Sequence, residues 1–113
     1  MTASPRPSFV RVGAAQINTM VGDLRGNTDK IVQWIRKARE QEIQILVFPE
    51  LAICGYPPKD LLLKTQFIAE QQSYLNEIIP ETQGMLVAVG VVIRDGDSYN
   101  AAAVLHDGNL LDF

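Results

Sequence analysis

An unbroken apolar run, Ile45-Leu-Val-Phe48, stops at Pro49, and a carboxylate, Glu50, follows at once. Four aliphatic and aromatic residues without polar alternation describe a strand covered on both faces. Pro49 has no N–H to offer a ladder, so the strand should end there. Glu50 then stands at the carboxyl end of a buried strand, the edge at which open α/β sheets carry their chemistry. The rest of the chain is expected to support this acid.

The flanking segments agree with that placement. Phe9 to Ile17 predicts a first strand that becomes small and apolar through Gly13-Ala14-Ala15, as if its backbone lies close to a neighbour. Gln16, a polar residue in this run, is either a strand-end amide bonded to loop backbone or a group near a site. Asn18 to Gly26 is rich in turn formers. Asn27 reads as the N-cap of a helix over about 27–41, whose apolar stripe is Ile31, Trp34, Ile35 and Ala38. Lys30, Gln33, Arg36, Lys37 and Glu40 form its solvated side. Strand, helix and strand make a β-α-β unit with parallel strands and a right-handed crossover.

Beyond Glu50, Gly55-Tyr-Pro-Pro-Lys-Asp60 predicts a turn, with Asp60 capping a short helical piece through Leu61–Leu63. Thr65 to Ile79 predicts a second helix, with Ile68, Gln71, Leu75, Ile78 and Ile79 near one face and Pro80 stopping it. Whether the two helices share a face of the sheet does not follow from the pattern. Met85 to Ile93 is a long apolar run and reads as a central strand. Arg94-Asp-Gly-Asp97 is a hairpin signature, Ser98 to Leu105 returns antiparallel, and His106 to Asn109 turns again. Leu110 to Phe113 begins another strand. The fold class is α/β bordering on α+β: a mixed sheet in which β-α-β gives way to a meander. A sheet that stops on an unpaired strand is a reason to expect a longer polypeptide.

Composition narrows the functional classes. The chain has 113 residues, 47% hydrophobic and 20% charged, with a formal charge of −3. That is a globular composition sized for one modest core. The basic residues are scattered, which argues against a nucleic-acid surface. No apolar run approaches the ~20 residues that span a bilayer, so no membrane partner is expected. Residues 1–8 lack the apolar core of a signal peptide and read as a disordered tail. One cysteine and one histidine make a Cys/His metal site within the chain improbable, and the single cysteine fits the cytoplasm.

Among chemical candidates Glu50 leads. Beside Pro49 and Leu51-Ala52-Ile53 it should be partly desolvated and able to act as a base; the bland alternative is an acid that caps the next turn or sits in solvent. Cys54 has no flanking His or cation to activate it and reads as a buried thiol. Tyr56 could present its hydroxyl to a cleft or pack as a loop aromatic. Trp34 reads as core and His106 as a solvated turn residue. Neither G-x-G-x-x-G nor G-x-x-x-x-G-K-[ST] is present, so no phosphate cradle is visible.

Taken together, Gly13-Ala-Ala-Gln-Ile-Asn18, Gly22-Asp23 with Gly26-Asn27, Val47-Phe-Pro-Glu-Leu51, Gly55-Tyr56 and Tyr99-Asn100-Ala101 resemble the start of the nitrilase (carbon–nitrogen hydrolase) superfamily. Within it, Gly22 to Asn27 and Gly55 to Leu62 are most similar to the N-terminal glutaminase domain of glutamine-dependent NAD⁺ synthetases. The resemblance covers residues 9–113, which would be an incomplete N-terminal part of that domain. It implies an α-β-β-α sandwich and a Glu-Lys-Cys triad in which Glu50 is the general base. Tyr56 would line the glutamine pocket. The lysine and the cysteine would lie past residue 113, and Cys54 does not occupy the nucleophile's position. The resemblance further implies no cofactor in this segment, ATP and Mg²⁺ in a separate C-terminal synthetase domain, glutamine as substrate, and a homo-oligomer. Two other readings stay open: a stand-alone amidase of the same superfamily, and a non-catalytic α/β module of flavodoxin or receiver design. The hairpin at Met85–Leu105 breaks the β/α alternation of the latter. The 113-residue chain by itself should release no glutamate from glutamine. Measurable release that disappears in Glu50→Gln would overturn this.

Overall fold

The computed structural model describes residues 9–56, 58 and 64–113. The expected tail over 1–8 and the helical piece at Leu61–Leu63 lie outside the described residues. Five strands form one sheet in the order β1-β2-β3-β4-β5: Val12–Ala14, Ile45–Val47, Leu86–Asp95, Asp97–His106 and Asn109–Asp112. β1, β2 and β3 are mutually parallel, and β4 and β5 follow antiparallel. The mixed sheet matches the expected change from β-α-β to meander, with the Met85–Ile93 run in the central strand.

Helix α1 (Leu24–Glu40) joins β1 to β2, and α2 (Thr65–Ile78) lies between β2 and β3, followed by a 3-10 turn over Ile79–Thr82 that contains Pro80. Strand order 1-2-3 advances in one direction, so right-handed crossovers put both helices on one face. There they pack on each other, tied by Arg25, which bonds Asp29 and Glu77, and by Arg36 with Glu81. Beneath them Leu46, Val87, Val89, Ala103 and Leu105 are buried with Ile31, Ile35, Leu75 and Ile78. The other face of the sheet carries no helix among the described residues, and its Val12 and Val47 are 62% and 42% exposed.

Two residues differ from their expected roles in α1. The helix starts three residues earlier than Asn27, because Asp23 is the cap: its carboxylate accepts from the Gly26 N–H at 3.0 Å. Trp34 is not core. It is 44% exposed at the margin of the stripe, with the Lys37 ammonium 4.8 Å above its ring. A 3.6-residue period places Ile31, Ile35 and Ala38 inward, and a residue one step to the side of that line faces outward. His106 likewise belongs to β4 rather than the turn, with its Nδ1 3.0 Å from the Met85 carbonyl. The turn is Asp107-Gly108, both at positive φ, as a two-residue hairpin requires.

Strand β3 is longer than β2, so beyond Ala88 one of its edges loses its strand partner. The chain leaving β2 takes over first, with Phe48 N–H donating to Ala88 O and Ala52 N–H to Gly90 O, both at 2.9 Å. Next comes a side chain. Buried Gln71 of α2 donates its amide to Val92 O at 2.7 Å and accepts from Val92 N–H at 3.1 Å, imitating a neighbouring strand. Gln71→Leu leaves two buried backbone groups unpaired and should cost about 2–4 kcal/mol of stability. The measurement is a denaturant midpoint lowered at unchanged slope.

Candidate active site

Glu50 opens a tight turn over 50–54 at the carboxyl end of β2. Its neighbour Leu51 sits at φ 51°, a left-handed backbone that is uncommon for a bulky side chain and costs on the order of 1–3 kcal/mol. The turn is held by the Ala52 bond to β3, by Gly55 N–H to Leu51 O at 2.8 Å, and by Gly22 N–H to Cys54 O at 2.9 Å. Asn27, fully buried in α1, ties the two loops to each other. Its amide donates to Met20 O and Ile53 O and accepts from Met20 N–H, at 2.8–2.9 Å. An internal pin is a better use of this side chain than capping, because the loops would otherwise leave buried backbone groups unbonded.

Gly90 decides how close the turn can come to the sheet. A Cβ there would lie 2.3 Å from both Leu51 N and Pro49 O. The Pro49–Leu51 backbone therefore rests directly on β3, on the face away from α1 and α2. Gly55, at φ 83°, makes a similar close approach to Met20 and Val21. Gly55 is legible in the sequence as a turn residue, whereas Gly90 looks there like a neutral member of an apolar run.

The carboxylate of Glu50 is exposed, so the expected desolvation by Leu51-Ala52-Ile53 does not occur. Those three residues are buried under the turn while the acid stands clear of it. Its recorded partner is Asn100 on β4, whose Nδ2 donates to Oε2 at 3.1 Å. Tyr56, at the exit of the same segment, is 63% exposed. No hydrogen bond joins it to Glu50 among the described residues. Gln16 lies past the end of β1 and is also exposed.

Cys54 is near Glu50 in sequence but not in role. The thiol is fully buried and turned to the carbonyls of Leu51 and Gly55, at 3.7 and 3.6 Å. Burial pushes it up to about 11. Among the described residues, no group of three or more potential ligands could hold a metal ion. A cleft of about 500 Å³ with Arg11, Arg39, Gln44 and Met85 in its wall lies at the opposite end of the parallel strands. Its arginines are spent on backbone carbonyls, Arg11 on Gln41 O and Arg39 on Gln83 O.

The model of one family, carbon-nitrogen hydrolase, matches residues 11–112. The chain belongs to the carbon–nitrogen hydrolase family. It is 42% identical over 104 residues to a glutamine-dependent NAD(+) synthetase of Thermotoga maritima, covering 90% of this chain and 18% of that protein. The corresponding enzyme of Aquifex aeolicus is 43% identical over 99 residues, 86% of this chain and 17% of the relative. The chain thus spans less than a fifth of the length of these relatives. Among solved structures, a glutamine-dependent NAD(+) synthetase from Cytophaga hutchinsonii superposes with TM-score 0.86 at 28% identity over 89% of this chain and 18% of that one. An amidase from Nesterenkonia sp. superposes with TM-score 0.80 at 22% identity, covering 98% of this chain and 44% of that one, which shows a shared fold. Both the β-α-β-meander order and the resemblance read from the ordered motifs are thereby confirmed.

The buried thiol gives a direct check. A folded value near 11 against the ordinary 9.0 leaves about 100-fold less thiolate at pH 8, and burial slows attack further. Iodoacetamide should therefore modify Cys54 at least about 100-fold faster in urea than in the native state. Because the shift is upward, the stability linked to the neutral thiol is complete below pH 9.0 and is lost as pH rises toward 11. Equal labelling rates in the two states would contradict this arrangement.

Proposed function

We propose that this chain is the first part of the glutaminase domain of a glutamine-dependent NAD⁺ synthetase, with Glu50 as its general base. The observation that carries the reading is the placement of Glu50 at the carboxyl end of β2 on a turn pressed against β3, in a chain so similar to such synthetases. A carboxylate on a fixed backbone, with one oxygen unbonded among the described residues, can take a proton from a thiol and later from water. The thiol and an oxyanion-stabilising lysine would come from the polypeptide beyond residue 113. The thiolate would attack the side-chain amide carbon of glutamine. The proton held by Glu50 would leave with the amine as ammonia, and a thioester would remain. Water, deprotonated by the same carboxylate, would then release glutamate and restore the thiol.

Tyr56, exposed beside the turn, would contact the glutamine. Residues 9–113 would be one part of the domain and 1–8 a tail. The ammonia would pass to a C-terminal synthetase domain that uses ATP and Mg²⁺ to amidate deamido-NAD⁺. A structure of the Acinetobacter baumannii synthetase holds ADP, whereas this sequence contains no glycine-rich phosphate loop. In this reading the nucleotide, and the metal expected with it, would be held by that C-terminal domain. A cytoplasmic homo-oligomer completes the reading; no helix among the described residues is long and apolar enough to cross a membrane.

A stand-alone amidase is the second reading, favoured by the amidase fold match. A synthetase-type Ser-Gly-Gly-x-Asp-Ser-Ser loop further along the polypeptide supports the first reading, and its absence supports the second. In the full-length protein, Glu50→Gln should abolish glutamine-dependent NAD⁺ synthesis and leave synthesis from free ammonia unchanged. Loss of both activities together would make Glu50 structural.

A further inference from the structure

We propose that Asn100 is a positioning residue for the Glu50 carboxylate, resting on the assignment of Glu50 as the base. The backbone of Glu50 is held by strain at Leu51, by the contacts over Gly90 and by the bond from Ala52 to β3. The torsions of the Glu50 side chain remain free, and an exposed glutamate samples several rotamers. Asn100 removes that freedom. It sits on β4 opposite Val92, two residues from Ala102, the partner of Gly90. β4 itself pairs with β3 along its full length, from Asp97 to His106, so Asn100 is carried by a rigid element.

Residue type and orientation fit the task. Only the amide nitrogen of Asn100 can donate to a carboxylate, which fixes the orientation of that amide. It engages Oε2 at 3.1 Å, and no bond to Oε1 is recorded among the described residues. One oxygen is thus held while the other can receive a proton. An amide donor achieves this without neutralising the negative charge, as an arginine or lysine would. Gly90, lacking a Cβ, lets the turn lie against the face of the sheet that also carries Asn100. Three separated stretches, 49–51, Gly90 and Asn100, therefore act on a single carboxylate.

The test uses the full-length protein with glutamine as substrate, and compares Asn100→Ala, Asn100→Asp and Asn100→Gln with wild type and Glu50→Gln. Asp keeps the size of Asn but replaces the donor by an acceptor, so a folding defect and a lost bond can be separated. A misplaced reacting group costs up to about 100-fold in rate. Asn100→Ala and Asn100→Asp should therefore lower kcat for glutamine hydrolysis about 10- to 100-fold. KM for glutamine should stay within about threefold of wild type, because the bond acts on the base rather than on ground-state binding. Asn100→Gln, which retains the amide donor, should recover part of kcat, and synthesis from free ammonia should be unaffected throughout. Wild-type kcat in both Asn100→Ala and Asn100→Asp, with Glu50→Gln inactive, overturns the proposal and leaves the reading of Glu50 standing. A fall in ammonia-dependent synthesis parallel to kcat also overturns it. Full glutamine hydrolysis in Glu50→Gln removes the reading itself, and the proposal with it.

Discussion

The length of β3 past Ala88, which β2 does not pair, is the constraint on which the described structure turns. A buried strand edge cannot be left without hydrogen-bond partners, yet β2 is three residues long and stops at Val47. The segment leaving β2 supplies the missing partners through Phe48 and Ala52, and α2 supplies the last through Gln71. Glu50 lies between the first two of these bonds. Its position is a by-product of completing the edge, which is why an exposed acid can still have a defined backbone.

The close approach at Gly90 then fixes where edge completion sets the candidate base. With any side chain there the turn would ride higher over β3, because a Cβ would overlap backbone atoms that have nowhere to yield. Asn27 performs the matching task from the other side, binding the 18–22 and 51–55 loops so that neither moves alone. The left-handed Leu51 is held in place by these surroundings, the usual circumstance in which backbone strain survives next to a functional group. Cys54, buried in the same turn, contributes packing and no nucleophile.

Much of the fold was legible in residue order. The apolar run Ile45–Phe48, the Ile31/Ile35/Ala38 stripe, the Ile68/Gln71/Leu75/Ile78 stripe and the two Asp-Gly turns are local signals, and each element formed where its pattern lies. Element ends were less legible: Asp23 and Asn27 are both good caps, and only the loop contacts of Asn27 remove it from that role. The exposure of Trp34 runs against its pattern and that of Glu50 stays open in the sequence, for a common reason. Helical or strand period assigns a face, but how far that face is covered depends on segments distant in sequence.

By itself, then, the sequence determined the class of fold, the acid at the end of β2 and, through its ordered motifs, the carbon–nitrogen hydrolase family. Those are properties of short stretches, carried by period, proline placement and turn chemistry. Only the tertiary structure decided that both helices share one face, that Gly90 lies under the Pro49–Leu51 backbone, and that Asn100 reaches Glu50 from fifty residues away. Such contacts depend on strand register and chain crossings, which no local pattern encodes.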